Sequence, residues 1–144
     1  MKIIVSKNIS AIKLSQQIRN EVFTQEQGIP KHLDLDGLDS DSFHSLAYID
    51  KIAVGVARLT LVENKHAVMA RIAVTKNYRG NGVSTKLIDS LLSKARDLSV
   101  NSIEVHAHDY LREYYERFGF EYIKQVEEVG EHQLIQMVLD LKST

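Results

Sequence analysis

One segment of this 144-residue chain restricts its fold more than any other: a strand that leads through a glycine turn into an amphipathic helix. The strand is expected over residues 67–74, and the turn contains Gly80 and Gly82. Apolar residues then recur at steps of one, three or four, as one buried helix face requires. They are Val83, Leu87, Ile88, Leu91, Leu92, Ala95 and Leu98.

The turn itself has the features of an anion site. Glycines permit unusual backbone angles and let a ligand approach the main chain. The first N–H groups of the helix have no intrahelical partner and lie at the positive end of the helix dipole. Arg79 adds a fixed positive charge. A pyrophosphate is the anion that this arrangement suits.

Two common phosphate motifs fail at this turn, and a third fits it. A Walker A loop that starts at Gly80 would need Gly-Lys-Ser/Thr where residues 85–87 are Thr-Lys-Leu. A dinucleotide fingerprint would need a third glycine at Thr85. The pattern R-x-x-G-x-[GA] fits at Arg79 and Gly82, with Ser84 at its last position.

The rest of the chain alternates between strands and helices. Strands are expected over residues 3–5, 45–49, 53–62, 67–74, 103–107, 120–126 and 133–141. Helices are expected over residues 10–23, with Ser10 as N-cap, 83–98 and 110–118. Residues 27–43 are irregular and acidic. This order favours a mixed α/β sheet with helices on both faces, formed by one domain over residues 1–144.

Composition narrows the class of protein. The chain is 44% hydrophobic and 26% charged, with a formal net charge of −1, so it lacks the overall basicity of a general nucleic-acid or anionic-membrane binder. It has no cysteine, which excludes disulfides, thiolate metal sites and a cysteine nucleophile. We find no signal-peptide pattern and no membrane-span pattern. A cytoplasmic protein is therefore expected.

Two motifs identify a resemblance to a known superfamily. The loop from Arg79 to Ser84 resembles the pyrophosphate loop of the GNAT superfamily of N-acetyltransferases. Downstream, residues 114–120 read Y-Y-E-R-F-G-F and resemble the [FY]-Y-x-x-x-G-F helix end of the same superfamily. The two motifs occur in the order and at the distance that the superfamily has.

The opening of the chain narrows the resemblance to one branch. Residues 22–30 read V-F-T-Q-E-Q-G-I-P and are followed by Asp36, Asp39 and His44. This is similar to the opening of the ElaA/YjcF-like small bacterial acetyltransferases. Residues 130–132 (Gly-Glu-His), with Met137, also resemble that branch. The resemblance covers roughly residues 20 to 140.

The resemblance implies a GNAT-type fold and acetyl-CoA as co-substrate. The expected sheet is twisted, largely antiparallel and six- to seven-stranded, with a V-shaped cofactor cleft. The residues assigned to acetyl-CoA are Ile72, Ala73, Val74, Arg79, Gly80, Asn81, Gly82, Val83, Ser84, Thr85 and Tyr115. Two positions depart from the family pattern: Ser84 replaces a Gly or Ala, and His108 stands where an Asn or Gln is usual.

The implied reaction is direct transfer of an acetyl group to the primary amine of a small molecule or peptide. Tyr115 is expected to protonate the leaving thiolate, and a backbone N–H near Val74 to polarise the acetyl carbonyl. The general base is open: the candidates are Glu26, Asp36, His44, His108 or a chain of waters. Many relatives use a glutamate where this chain has Arg71.

The acceptor site is the least determined part of the sequence. Glu26, Asp36, His44 and Arg71 are the candidates to contact the acceptor, and the acidity of residues 28–43 suggests a cationic amine or polyamine. A rival hypothesis is a non-catalytic CoA-binding sensor or partner-binding domain. A different acyl donor or an O-acceptor is a further alternative, and a homodimer is left open.

A metal site is not expected. An acidic cluster consists of His32, Asp34, Asp36, Asp39, Asp41 and His44. An EF-hand loop starting at Asp34 would place Leu38 at position five and Asp39 at position six, where it needs an oxygen ligand and a glycine. His106 and His108 alternate onto one strand face without an evident third ligand.

Overall fold

The computed structural model describes residues 1–129 and 132–142. Its strands are β1 (Lys2–Ser6), β2 (Ser42–Ile49), β3 (Ile52–Val62), β4 (His66–Val74), β5 (Ser102–His108), β6 (Glu121–Val129) and β7 (His132–Asp140). Its helices are α1 (Ile9–Arg19), α2 (Lys31–Asp34), α3 (Val83–Asp97) and α4 (Arg112–Glu116). Gly130 and Glu131 of the predicted branch signature lie outside the described residues.

The strands form one seven-stranded sheet in the order β1-β2-β3-β4-β5-β7-β6. Neighbouring strands are antiparallel except β4 and β5, which are parallel. A parallel pair needs a crossover connection, and α3 supplies it between these two strands. The predicted mixed, largely antiparallel sheet is therefore confirmed.

Helices cover both faces of the sheet. On one face α3 packs against β1 to β4, and its fully buried residues are Leu87, Ile88, Leu91 and Ala95. On the other face α1 and the turn after it bury Ala11, Ile18 and Val22 against Leu46, Val56 and Ala73. Burying one such Leu or Ile side chain contributes about 1.5–3 kcal/mol.

Within residues 1–129 and 132–142, every helix is too short or too polar to traverse a lipid bilayer.

The first helix differs from its predicted bounds at both ends. It begins after Asn8, not Ser10, because the Asn8 side chain accepts a hydrogen bond from the Ala11 N–H at 2.8 Å. It then widens into a π-helical turn over Asn20–Glu26, where the Gln27 N–H reaches the Val22 carbonyl at 3.2 Å. Apolar spacing alone cannot distinguish this wider turn from regular α-helix.

The predicted helix over residues 110–118 is also divided. A 3₁₀ turn, Asp109–Leu111, precedes the shorter α4. The acidic stretch 27–43, predicted to be irregular, contains α2 and a 3₁₀ turn, Asp39–Asp41. Asp50 and Lys51 form the tight connection between β2 and β3, with positive φ at both residues.

The acidic loop is attached to the domain through a buried ion-pair network. Arg19 of α1 is fully buried and contacts the Asp34 carboxylate at 3.0 Å and the Asp39 carboxylate at 2.8 Å. Arg58 of β3 contacts Asp39 at 3.0 Å. His44 lies beside them, with Nε2 2.9 Å from the Asp39 carbonyl and Nδ1 3.2 Å from the Ser15 hydroxyl.

The same network closes on itself through β4. Arg71 contacts Asp34 at 3.1 Å and Asp36 at 3.2 Å, and Arg58 contacts Asp36 at 2.7 Å. Each arginine thus contacts two aspartates, and each aspartate contacts two arginines. We call this set the Arg–Asp ring: Arg19, Asp34, Arg71, Asp36, Arg58 and Asp39. In the described part of the chain, no three His, Asp or Glu side chains are grouped so as to hold a metal ion.

The ring and the neighbouring His44 make stability depend on pH. Burial by itself raises the pKa of Asp39, but hydrogen bonds from Arg19, Gln16 and Arg58 outweigh it and lower that pKa far below its usual range. Burial lowers the pKa of His44. Both groups bind fewer protons when folded than when unfolded, so the stability they contribute is present at neutral pH. It decreases below about pH 6.5 for His44 and further below about pH 4 for Asp39.

Replacing Asp39 with Asn should destabilise the fold strongly, because it leaves Arg19 and Arg58 short of a negative partner. We expect a loss of about 3–5 kcal/mol at pH 7 and a weaker dependence on pH below about pH 4. Urea unfolding followed by circular dichroism from about pH 2 to pH 8 measures both effects. Asp41→Asn, an exposed neighbour in the same turn, is the matched control. Equal losses in the two variants would contradict a stabilising ring.

Candidate active site

A gap opens between β4 and β5 at the middle of the sheet. The two strands pair only from His66 to Met69 and from Ser102 to Val105, and beyond these residues no ladder joins them. Opposite β3, the register of β4 shifts between Ala70 and Ala73. The bulge formed by the extra residue in β4 contains Arg71, whose φ is 57°. Such a β-bulge bends the strand, and the bend directs the end of β4 away from β5.

The N-terminus of α3 lies beyond the end of β4 and is open. Its N-cap residue, Gly82, has φ of 76° and supplies no side-chain hydrogen bond. A Cβ atom added at Gly80 or Gly82 would meet no atom within 4 Å. The first intrahelical bond runs from the Lys86 N–H to the Gly82 carbonyl at 3.2 Å. The earlier N–H groups of the helix are therefore oriented for an external acceptor, and these residues fit a phosphate group.

A hydroxyl cluster joins this helix end to α4. The Tyr114 hydroxyl lies 2.9 Å from the Ser84 hydroxyl and 3.0 Å from the Thr85 hydroxyl. Ser84, the residue that departs from the family pattern, thus takes part in a contact between the first turn of α3 and α4. This contact joins α4 to the start of α3.

Tyr115 follows directly and is buried. Only 4% of the residue is exposed, and its ring packs edge-on against Phe120 at 5.7 Å. Burial, with a smaller contribution from the neighbouring Tyr114, raises the pKa of the Tyr115 phenol. The phenol therefore keeps its proton at neutral pH, as a proton donor must.

Arg79 and Glu26, predicted to have separate roles, form one ion pair. The guanidinium of Arg79 donates to both carboxylate oxygens of Glu26, at 2.5 and 2.6 Å. Its Nε donates to the Val74 carbonyl at 2.9 Å. Hydrogen bonds from Arg79 lower the pKa of Glu26, which makes this carboxylate a weak proton acceptor.

The remaining predicted site residues lie in three different places. His108 ends β5, beyond the part of the strand that pairs with β4, and its ring stacks on Tyr110 at 5.1 Å. Arg71 lies at the β4 bulge, and Asp36 is bonded to it. His44 is 0% exposed and bonded within the core, so the predicted acceptor contact at His44 does not fit its position.

Gly55 was not predicted from the sequence, but it positions the start of α3. It faces Val74 across β3 and β4. A Cβ atom at this position would lie 2.8 Å from Val83 Cγ1 and 3.1 Å from Leu87 Cδ1. The first turn of α3 can approach the sheet only because residue 55 has no side chain. An isolated glycine inside a strand pattern is the signal that could have identified it.

Comparison with known proteins agrees with this geometry. The acetyltransferase (GNAT) domain matches residues 10–141, and the chain belongs to this family of acetyl-CoA-dependent acyltransferases. It is 27% identical to the uncharacterized N-acetyltransferase YjcF of Bacillus subtilis over 127 residues, which cover 88% of this chain and 90% of YjcF. Transfer of an acetyl group to an amine is the general reaction of the family.

Two solved structures extend the comparison to three dimensions. Escherichia coli ElaA is 25% identical with a TM-score of 0.83, and the match covers 96% of this chain and 100% of ElaA. An acyl-CoA N-acyltransferase from Pseudomonas aeruginosa is 26% identical with a TM-score of 0.82, over 96% of this chain and 98% of that one. The predicted family resemblance is confirmed.

Adding a side chain at Gly55 should displace the first turn of α3. We expect Gly55→Ala to reduce stability by about 1–3 kcal/mol, because Val83 is β-branched and cannot easily rotate away. Binding of CoA should weaken about tenfold if the displaced turn holds its diphosphate. Urea unfolding and calorimetric titration with CoA measure the two effects.

A second substitution tests whether this contact is the cause. Val83→Ala removes the atom that the new Cβ would meet, so the double variant should regain part of both losses. Additive losses in the double variant would show that Gly55 acts by some other route.

Proposed function

We propose that the protein transfers the acetyl group of acetyl-CoA directly to a primary amine of a small molecule or peptide. The observation that carries this proposal is the gap between the ends of β4 and β5, together with the open N-terminus of α3, the helix that follows β4 in the chain. An acyl-CoA needs both features, since its narrow, extended pantetheine arm carries the thioester and is joined to a diphosphate.

The cofactor-binding residues follow from that match. The diphosphate accepts hydrogen bonds from the N–H groups of Gly82 to Thr85, and Arg79 neutralises part of its charge. The pantetheine arm lies in the gap and bonds to the backbone of Ile72, Ala73 and Val74 as an added strand would. Gly80 and Gly82, on either side of Asn81, leave open space for the phosphates.

The chemistry then needs one proton donor and one proton acceptor. The amine nitrogen attacks the thioester carbonyl carbon, and the new C–N bond replaces the C–S bond. A backbone N–H near Val74 stabilises the charge that develops on the carbonyl oxygen. Tyr115 donates its proton to the leaving thiolate sulfur, and the amine gives up one proton in exchange. Because the chain has no cysteine, no cysteine acyl-enzyme is involved.

We assign His108 as the group that accepts the amine proton, directly or through a water. The other candidates have less suitable environments. The pKa of Glu26 is lowered by Arg79, and that of Asp36 is lowered by Arg58 in spite of its partial burial. His44 has no exposed surface. An imidazole is a common general base in enzymes, and His108 lies at the end of β5 that does not pair with β4.

Substitution of Tyr115 by Phe tests the proton donor. We expect kcat to decrease about 100-fold because the thiolate leaves unprotonated, whereas the Kd for CoA changes less than about threefold. Thiol release from acetyl-CoA in the presence of an accepted amine measures the rate. Tyr48→Phe, on β2, is the matched control. An unchanged rate in Tyr115→Phe would refute the assigned role, as would a rate loss explained by weaker CoA binding.

The Arg79–Glu26 ion pair gives a prediction for cofactor affinity. A diphosphate must compete with Glu26 for the guanidinium, so Glu26→Gln should tighten CoA binding about threefold to tenfold. Arg79→Ala combined with Gly82→Asp should abolish binding, because it removes a positive charge and adds a negative one.

Calorimetric titration with CoA measures all of these affinities. Glu63→Gln, in the exposed turn between β3 and β4, controls for the loss of a negative charge. Unchanged affinity in Glu26→Gln would mean that Arg79 does not bind the diphosphate. No binding by the folded wild type would remove the basis of the proposed site.

A further inference from the structure

The acidic loop has an unusual arrangement of polar and apolar side chains. Its aspartates Asp34 and Asp39 are only 6% exposed, whereas the leucines between and beside them are not covered. The exposed fractions are 56% for Leu33, 39% for Leu35 and 43% for Leu38. We call residues 33–38 the leucine loop. Three leucines within six residues thus expose apolar side chains that the domain does not use for its own core.

The leucine loop is attached to the wall of the gap. Arg71 Nε donates to the Asp34 carbonyl at 3.2 Å, and its Nη2 lies 3.4 Å from the Leu33 carbonyl. Arg71 is also the residue of the β4 bulge that separates β4 from β5. The Arg71 side chain therefore links the backbone of the leucine loop directly to β4, the strand that borders the proposed thioester position.

Pairing within the Arg–Asp ring changes what the loop can recognise. Each of Asp34, Asp36 and Asp39 contacts two guanidinium groups, so the ring has equal numbers of positive and negative charges. Burial opposes ionisation of Asp36, but its bonds to Arg58 and Leu38 still lower its pKa, which keeps the carboxylate engaged in these pairs. Although residues 28–43 are acidic, the ring carboxylates are therefore all paired with arginines and do not provide a binding site for a polycation.

We propose that the acceptor is a primary amine on an apolar body, such as an alkylamine or arylalkylamine. Its apolar part lies against Leu33, Leu35 and Leu38, and its amino group reaches the gap beside Arg71. This assignment rests on the proposed acetyl transfer and specifies its substrate class. Removing apolar surface of both partners from water provides the affinity, and no cation-binding carboxylate is required.

A series of amines tests the substrate class. Thiol release from acetyl-CoA is measured with butylamine, hexylamine, octylamine and phenethylamine, and with spermidine as the polycation. We expect kcat/KM to rise about tenfold from butylamine to octylamine and to exceed the value for spermidine, because added methylenes contact the leucines. Equal values along the alkyl series, or a preference for spermidine, would overturn the proposal.

Variants of the loop test whether the leucines are responsible. The double variant Leu33→Ser/Leu35→Ser should lower kcat/KM for octylamine about tenfold and leave butylamine within about twofold. Leu61→Ser and Leu98→Ser, with 42% and 39% exposure elsewhere on the surface, are the matched controls and should change neither value.

The remaining outcomes are also distinct. Loop variants that alter only the sedimentation coefficient, and not the kinetics, would assign the leucines to self-association and overturn the proposal. If acetyl-CoA binds but no amine releases its thiol, the proposed acetyl transfer to amines fails as well. If amines of all sizes react equally, only the substrate class fails.

Discussion

The Arg–Asp ring is the interaction on which the geometry of this domain depends. It joins α1 through Arg19, β3 through Arg58 and β4 through Arg71, and all three contact the same acidic loop. A buried ion pair gives little net stability over a well-packed apolar alternative, but breaking one is costly. The ring therefore acts mainly on position, because it holds the loop and the β4 bulge in one arrangement. The geometry of the gap beside β4 therefore depends on the ring.

At the other end of the gap, close packing rather than ion pairing determines the geometry. Gly55 lets the first turn of α3 lie directly on β3, and the Tyr114 hydroxyl joins that turn to α4. The proposed phosphate-binding N–H groups and Tyr115 are thus positioned by the same few contacts. A small displacement of α3 would move both, which is why neither can be considered independently of the core.

Much of this fold could be predicted because its signals are local. The turn at Gly80 and Gly82, the apolar face of α3 and the helix end at Tyr115 each occupy a short segment, and together they indicated the family. Helix ends were predicted less well. The N-cap at Asn8 and the π-helical turn over Asn20–Glu26 depend on hydrogen bonds that apolar spacing does not report. The structure reveals both features because it shows which oxygen accepts the hydrogen bond of each N–H group.

The sequence by itself determined the class of the protein and the turn proposed to bind the diphosphate, since both depend on residues close together in the chain. It could not determine the state of its charged residues. The acidic loop suggested a cation site, but its aspartates are bonded to arginines 15 to 37 residues away. Glu26 and Arg79, proposed to have different roles, are partners across 53 residues. Only the tertiary structure decided these pairings, because a charge is neutralised by what lies near it in space.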